Sequence, residues 1–250
     1  MNETIKTQLN HRTIREFKDE KIDENIIKTL LNVANMTASS NGMQNSSIIW
    51  VRDQKIKDEL SKIGGQEYMA RCPELFIFIV DLYRNYNIAK EKGEENDLMI
   101  GFDKFIQGFT DGVLQSQNFT LAAESLNLGA NFYGNIHNDT KKVIELLKMP
   151  KLSYPVVGVG IGYPNQKPQL KPRLDLDKKV YENHYKIQDS YLESVKDYDK
   201  EMRTYYDLRD ANRRSDAFST QILKKQGSEI KNREEMFKTL IDQGFVIKIN

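Results

Sequence analysis

The amino-acid sequence predicts an α+β fold, in which helices pack against a sheet of short strands. Residues 74–80 are almost continuously apolar, which is typical of a central strand covered on both faces. Residues 102–126 carry apolar and small side chains at mixed spacings of three and four, which indicates one long helix that ends before Gly129. With 250 residues, length alone leaves one domain and two small domains open on nearly equal terms.

The amino-terminal half alternates helix and strand candidates. Asp23 is a plausible N-cap for a helix with apolar residues at helical spacing, which ends near the polar loop 37–42. Residues 46–51 predict a short strand, and residues 53–63 predict a helix that stops at Gly64.

Three further elements follow the long helix. Residues 130–133 predict a strand, and Asn138 can cap a helix that runs through Leu147. Residues 155–164 read as a strand with glycines on one face, for which close packing of another element is favoured over phosphate binding. The segment is not a dinucleotide-binding motif, because Pro164 stands where a helix would begin.

Past Gln166 the composition becomes polar. The pattern predicts a charged helix over 189–208, a break at 224–227 and a last helix over 232–243. The alternating segment 245–249 resembles an edge strand in need of a partner.

Composition excludes several classes of protein. The 37 basic and 36 acidic residues give a net charge of +1, which argues against a protein that binds the nucleic-acid backbone. Cys72 is the only cysteine, so no intrachain disulfide and no cysteine-based zinc site can form, and we expect no metal. The amino terminus lacks an apolar signal-peptide core, and no apolar run is long enough to span a bilayer, so we expect a cytoplasmic protein.

The motifs of common hydrolases are missing, and His11, His137 and His184 show no metal-ligand spacing. Two basic clusters remain, at residues 11–15 and 171–173. A phosphate monoester is held well by a hydroxyl, a lysine and the planar forks of arginines, which is the chemistry that these clusters offer. On spacing alone, each cluster is more often a solvated surface patch.

Five short segments carry a family resemblance: residues 11–15 (HRTIR), 39–47 (SSNGMQNSS), 64–66 (GGQ), 122–129 (AAESLNLG) and 170–174 (LKPRL). They occur in the order seen in flavin reductases of the nitroreductase superfamily, and the chain resembles the NADPH-preferring branch of that superfamily over essentially its whole length. The resemblance implies a single nitroreductase-like α+β sandwich over residues 1–250, with a central, mostly antiparallel sheet flanked by helices. It also implies an interlocked homodimer with one tightly bound FMN at each of two interface clefts.

The resemblance also assigns roles to residues. It implies that the FMN phosphate is held by His11, Thr13, Lys171 and Arg173, with Arg12 beside them. Arg15 would lie near the pyrimidine end of the flavin ring, where a permanent cation raises the reduction potential. Other contacts to the ribityl chain or the ring would come from Ser39, Asn41, Gln66, Phe132, Tyr133, Gly134 and Asn135.

The family likeness further implies NADPH as electron donor, bound in part by Arg209, Arg213 and Arg214 on a helical arm at about 187–226. Hydride would pass to the flavin and then to free flavins, quinones or nitroaromatic compounds in a ping-pong sequence, with no catalytic side chain. The rivals within the superfamily are a dehalogenase and a flavin-fragmenting enzyme. A non-catalytic flavin-binding scaffold or regulator is the alternative from another class, and a nucleic-acid patch around Arg209 is a third reading.

Two positions depart from the family pattern. Asn135 stands where the relatives commonly have a second glycine, which is expected to alter a contact to the flavin. Gly42 stands where a bulky residue often covers the substrate pocket, so we expect a more open cleft.

Overall fold

The computed structural model describes residues 1–207, 213–230 and 232–247. The chain divides into two compact units: the first contains residues 1–166 and the residues from 232 onward, and the second contains residues 167–230.

The first unit is built around a four-stranded sheet in the order β1-β2-β4-β3, in which all neighbours are antiparallel. The strands are β1 (Ser46–Val51), β2 (Glu74–Asp81), β3 (Gly129–Tyr133) and β4 (Ser153–Gly162). The predicted central strand is β2, whose six middle residues are all buried. The α+β prediction is confirmed.

The helices of the first unit flank this sheet. They are α1 (Glu3–Leu9), α2 (Glu24–Asn35), α3 (Gln54–Gly64), α4 (Tyr83–Glu91), α5 (Phe102–Ser125), α6 (Thr140–Leu146) and α10 (Met236–Asp242). The long helix α5 lies on the sheet, where Phe119 packs its ring 4.7 Å from that of Phe76. Gly112 allows the helix to lie close to the sheet, because a Cβ there would lie 3.0 Å from the Val156 side chain in β4.

The regular elements in the described part of the second unit are mostly short helices. It contains α7 (Tyr191–Ser194), α8 (Lys196–Thr204), the short strands β5 (Tyr206–Asp207) and β6 (Arg213–Arg214), and α9 (Phe218–Gln226). The single helix predicted over 189–208 is therefore wrong, because α7 ends at Ser194 and α8 begins at Lys196; position 208 lies outside the described residues.

Local capping explains the elements that were predicted well. The side chains of Asp23 and Asp53 accept hydrogen bonds from the first turns of α2 and α3. Gly65 ends α3 in the left-handed conformation, with φ of 63°. The cap of α6 is Asp139 and not Asn138, because Asp139 accepts the bond from the backbone N–H of Lys142.

The glycines of β4 serve close packing, as predicted. A Cβ on Gly160 would lie 2.8 Å from the Tyr133 ring, and one on Gly162 would lie 2.8 Å from Phe17. The segment after Gly244, predicted as an edge strand in need of a partner, already has a partner at one position, because Val246 pairs with Gly101 in the same chain. Positions 248–250 lie outside the described residues.

His137 is a packing histidine, buried with Nε2 2.9 Å from the carbonyl oxygen of Val156. Burial lowers the pKa of its imidazole, against the effect of the Val156 carbonyl. Below pH ~6.5 the unfolded chain therefore binds a proton that the folded chain refuses, so the free energy of unfolding falls as pH falls.

We expect this dependence to be shallower in His137→Gln, measured by urea denaturation at pH of about 7.5 and 5.5. The exposed His184 offers the matched control, since His184→Gln should keep the wild-type dependence. An unaltered pH dependence in His137→Gln would contradict the assignment.

Candidate functional site

The basic segment 11–15 runs beside the edge strand β3. Thr13 pairs with Ala130 in a parallel bridge, and the backbone N–H of Ile14 donates to the Ala130 carbonyl at 2.9 Å. On the other side, Gln166 Oε1 accepts from the backbone N–H groups of Arg15 and Glu16, at 2.6 and 2.7 Å. These bonds hold the segment extended along the sheet edge.

His11 faces the carboxy-terminal part of α5. Its Nδ1 lies 2.6 Å from Glu124 Oε1, and both side chains are mostly covered. The carboxylate therefore orients the imidazole. Arg12 and Thr13 follow it directly and are half-buried.

Arg15 lies in a second group of predicted residues. The guanidinium carbon of Arg15 is 5.8 Å from the centre of the Tyr68 ring, and that ring is 6.1 Å from the ring of Tyr133. Gln66 stands just before the short helical turn that carries Tyr68. Tyr68, which sequence reasoning missed, thus links two residues of the predicted site, Arg15 and Tyr133, and Gln66 lies two positions before it.

The loop after β3 begins directly after Tyr133. Phe132 is half-buried in β3 opposite Val159, and Gly134 is exposed. Asn135 turns back to α3, where its Nδ2 donates to the carbonyl oxygen of Gly64 at 2.8 Å.

The predicted residues Ser39 and Asn41 lie on a separate loop, anchored by a different part of α5. Asp111 is 1% exposed, and its carboxylate accepts from the backbone N–H groups of Ser40 at 2.8 Å and Asn45 at 3.2 Å. Asn41 adopts the left-handed conformation, with φ of 54°. Within one chain, this loop is not brought to His11.

The separation follows from helix geometry. Glu124 stands thirteen positions after Asp111, so the two anchors are ~20 Å apart along α5 and ~140° apart around its axis. Ser39 and Asn41 thus belong to a different face of the helix from His11.

The second unit holds the other predicted cations. In its loop, Arg173 Nη1 donates to the carbonyl oxygens of Lys171 and Pro172, at 3.0 and 3.3 Å. Arg214 Nε donates to the Tyr206 hydroxyl at 3.1 Å, with the guanidinium 5.7 Å from the ring centre. Arg213 pairs through its backbone with Asp207, and Arg209 lies outside the described residues.

The chemistry of the described side chains is that of binding. Burial raises the pKa of the Cys72 thiol to about 11, so the thiol stays protonated at neutral pH and is a poor nucleophile. Within the described ranges, no three His, Cys, Asp or Glu side chains gather as a metal site. No helix in the part of the chain that the structure covers has both the length and the apolar character for crossing a membrane.

Known proteins resemble this chain in both sequence and fold. Residues 9–71 match the model of the nitroreductase family, and residues 171–248 match that of its C-terminal domain. A relative from Bacillus subtilis named FMN reductase (NADPH) is 38% identical over 226 residues, covering 89% of this chain and 91% of the relative. The chain belongs to the nitroreductase family.

Two further members of the nitroreductase family extend the likeness over the whole chain. The oxygen-insensitive NADPH nitroreductase of Salmonella typhimurium is 34% identical, covering 99% of this chain and 100% of its own. The solved structure of the NfrA1 nitroreductase from B. subtilis superposes with a TM-score of 0.89 at 35% identity, covering 97% of this chain and 98% of its own. The predicted family and fold are confirmed.

Proposed function

We propose that this member of the nitroreductase family is a cytoplasmic, FMN-dependent oxidoreductase that takes hydride from NADPH and reduces flavins, quinones or nitroaromatic compounds. Sequence relatives with NADPH and FMN or nitroreductase in their names support this function over 89% or more of the chain. The single cysteine is in keeping with a reducing compartment.

The observation that carries the proposal is a pair of buried polar atoms in the Arg15 region. Arg15 Nε and Asn135 Oδ1 are buried and have no hydrogen-bond partner among the described residues. Buried polar groups are almost always paired, so an unpaired donor and an unpaired acceptor suit a polar ligand. Flavin offers ring oxygens, ring nitrogens and N–H groups, which fit both.

The residues then act by binding and by charge. Hydride acceptance and onward transfer in a ping-pong sequence are the chemistry that FMN supplies when it is bound. Arg15 contributes a permanent cation beside the ring, which stabilises the negative charge of the reduced state. His11, Arg12, Thr13, Lys171 and Arg173 supply cations and a hydroxyl for the phosphate.

The visible absorption spectrum of the purified protein tests the proposal. We expect a bound-flavin spectrum, release of FMN on denaturation and NADPH consumption that depends on an added acceptor. A colourless protein that refuses added FMN would overturn the proposal, and bound flavin without turnover would favour the scaffold reading.

We propose that the enzyme is a homodimer whose FMN sites lie between the two copies. The opposite placement of the two anchors on α5 supports this, because the Ser39–Asn41 loop of one copy would then complete the His11–Arg15 site of the other. Apolar side chains on α5 are exposed by 44–46%, namely Phe102, Ile106, Val113 and Leu114. An unpartnered apolar stripe of this kind is typical of an interface.

We expect the dimer to be obligate, with an apolar interface of more than roughly 2,000 Å². Sedimentation of the flavin-loaded protein should show dimers at all concentrations at which it stays folded. A stable monomer that retains FMN would contradict the prediction.

Asp111 is proposed as a positioning residue, because its carboxylate holds the Ser39–Asn41 loop. In Asp111→Asn the amide nitrogen would face a backbone N–H, so one of the two bonds is lost. We expect the free energy of unfolding to fall by about 1 kcal/mol and FMN affinity to fall several-fold, measured by urea denaturation and by titration of the apoprotein.

Asp103 is the matched control on the same helix, since its side chain is 75% exposed. Asp103→Asn should leave FMN affinity unchanged. Equal FMN affinity in the two variants would reject the role of Asp111.

A further inference from the structure

The carboxy-terminal end of α3 is capped by two asparagines from the loop after β3. The Gly64 carbonyl, one of the carbonyls that a helix end leaves unpaired, accepts from Asn135 Nδ2 at 2.8 Å and from Asn138 Nδ2 at 3.2 Å. Gly64 makes room for this contact, because a Cβ there would lie 2.1 Å from Asn135 Nδ2. Glycine at 64 and asparagine at 135 are therefore matched.

The contact sets the orientation of the Asn135 amide. A carbonyl oxygen only accepts, so the amide nitrogen must face Gly64 and the amide oxygen must face away from it. That oxygen, Oδ1, is buried and meets no donor among the described residues. The fold thus fixes the direction of Asn135 Oδ1 and leaves this buried acceptor without a donor. That arrangement is unfavourable until a ligand supplies a donor.

Asn138 caps the same carbonyl, yet its amide oxygen is used. Asn138 Oδ1 accepts from Arg233 Nε at 3.1 Å. An asparagine can therefore cap α3 while its amide oxygen accepts a hydrogen bond, so the cap does not explain why Asn135 Oδ1 has no donor.

Asn135 also lies in the proposed flavin region. It stands two residues after Tyr133, whose ring neighbours Tyr68 beneath Arg15, while Gly64 stands two residues before Gln66. The unpaired donor, Arg15 Nε, and the unpaired acceptor, Asn135 Oδ1, therefore lie on segments that the contact between Tyr68 and Tyr133 links.

We propose that Asn135 Oδ1 accepts a hydrogen bond from the N5–H of reduced FMN and thereby favours the reduced state. This inference rests on the proposed function. Oxidised flavin carries a lone pair at N5 and no proton, so an acceptor facing it is unfavourable, whereas reduction adds the proton that Oδ1 binds. The flavin N3–H is a donor in both states, but it belongs to the pyrimidine end, which is assigned to Arg15.

The midpoint potential of bound FMN and the dissociation constants of oxidised and reduced FMN test the proposal. In Asn135→Ala, we expect the affinity for reduced FMN to fall about tenfold relative to that for oxidised FMN. For a two-electron couple, this equals a midpoint potential lower by about 30 mV. Asn138→Ala is the matched control, because it removes a bond to the same carbonyl and should leave the potential unchanged.

A second variant keeps Asn135 in place. Gly64→Ala introduces the Cβ that displaces the Asn135 amide, so it should lower the midpoint potential in the same direction, and urea denaturation of each apoprotein confirms folding. The inference would be overturned if Asn135→Ala weakened the binding of oxidised and reduced FMN equally, or if the Asn135 and Asn138 variants shifted the midpoint potential equally. FMN binding by the wild-type protein would still support the proposed function in either case. A wild-type protein that binds no FMN would overturn both.

Discussion

Replacement of Arg173 by alanine is expected to weaken FMN binding by roughly tenfold to a hundredfold. A charge-assisted hydrogen bond to a phosphate contributes about 1.5–3 kcal/mol, which corresponds to this range of affinity. Arg173 donates within its own loop to the backbone carbonyls of Lys171 and Pro172. The Tyr198 hydroxyl also donates to the Pro172 carbonyl at 3.2 Å, which ties the loop to α8.

The measurement is titration of the apoprotein with FMN, together with urea denaturation, which should show an unchanged free energy of unfolding. Arg203→Ala removes the same charge from the exposed last turn of α8 and should leave FMN affinity unchanged. If Arg173→Ala binds FMN with the wild-type dissociation constant, the assignment of residues 171–173 to the phosphate is wrong.

Arg209→Ala is expected to raise the KM for NADPH about tenfold and to leave that for NADH nearly unchanged. The 2′-phosphate is the group by which NADPH differs from NADH, and it lies far from the nicotinamide, so cations remote from the flavin must recognise it. A charge-assisted contact between an arginine and this phosphate contributes towards the lower end of ~1.5–3 kcal/mol where water reaches it, and salt should weaken it further.

Steady-state kinetics with both coenzymes at low and high salt test this prediction. For Arg214, binding the 2′-phosphate would compete with the bond from its guanidinium to the Tyr206 hydroxyl. The Arg203→Ala variant again controls for charge on the arm. Equal losses with both coenzymes, or no loss with either, would reject a role in recognising the 2′-phosphate.

Elements whose signals are local were predictable from the sequence. The N-caps Asp23 and Asp53 and the left-handed Gly65 act within a few residues of their own helices, so the limits of α2 and α3 follow from short-range chemistry. The helix α4 was missed because Ala89 is its only buried residue among those described, so its sequence carries little amphipathic periodicity.

The motifs of the candidate site could also be recognised in the sequence, because a family likeness is carried by short runs of residues.

The alternate glycines of β4 correctly indicated close packing, since a strand places every second residue on one face. The partner against that face, Tyr133, was not predictable, because it comes from β3 and the register between strands is a tertiary property.

By itself, then, the sequence determined the α+β class, the central strand, the long helix and the nitroreductase likeness. Only the tertiary structure revealed that Asp111 holds the Ser39–Asn41 loop, that Glu124 orients His11 and that Asn135 points an unpaired oxygen away from Gly64. The physical reason is separation along the chain: these contacts join residues 71 to 113 positions apart, and no local pattern encodes them. A carboxylate or amide in a helix or loop has the same local sequence signal whether water or a backbone N–H becomes its partner, so its role is decided when the chain folds.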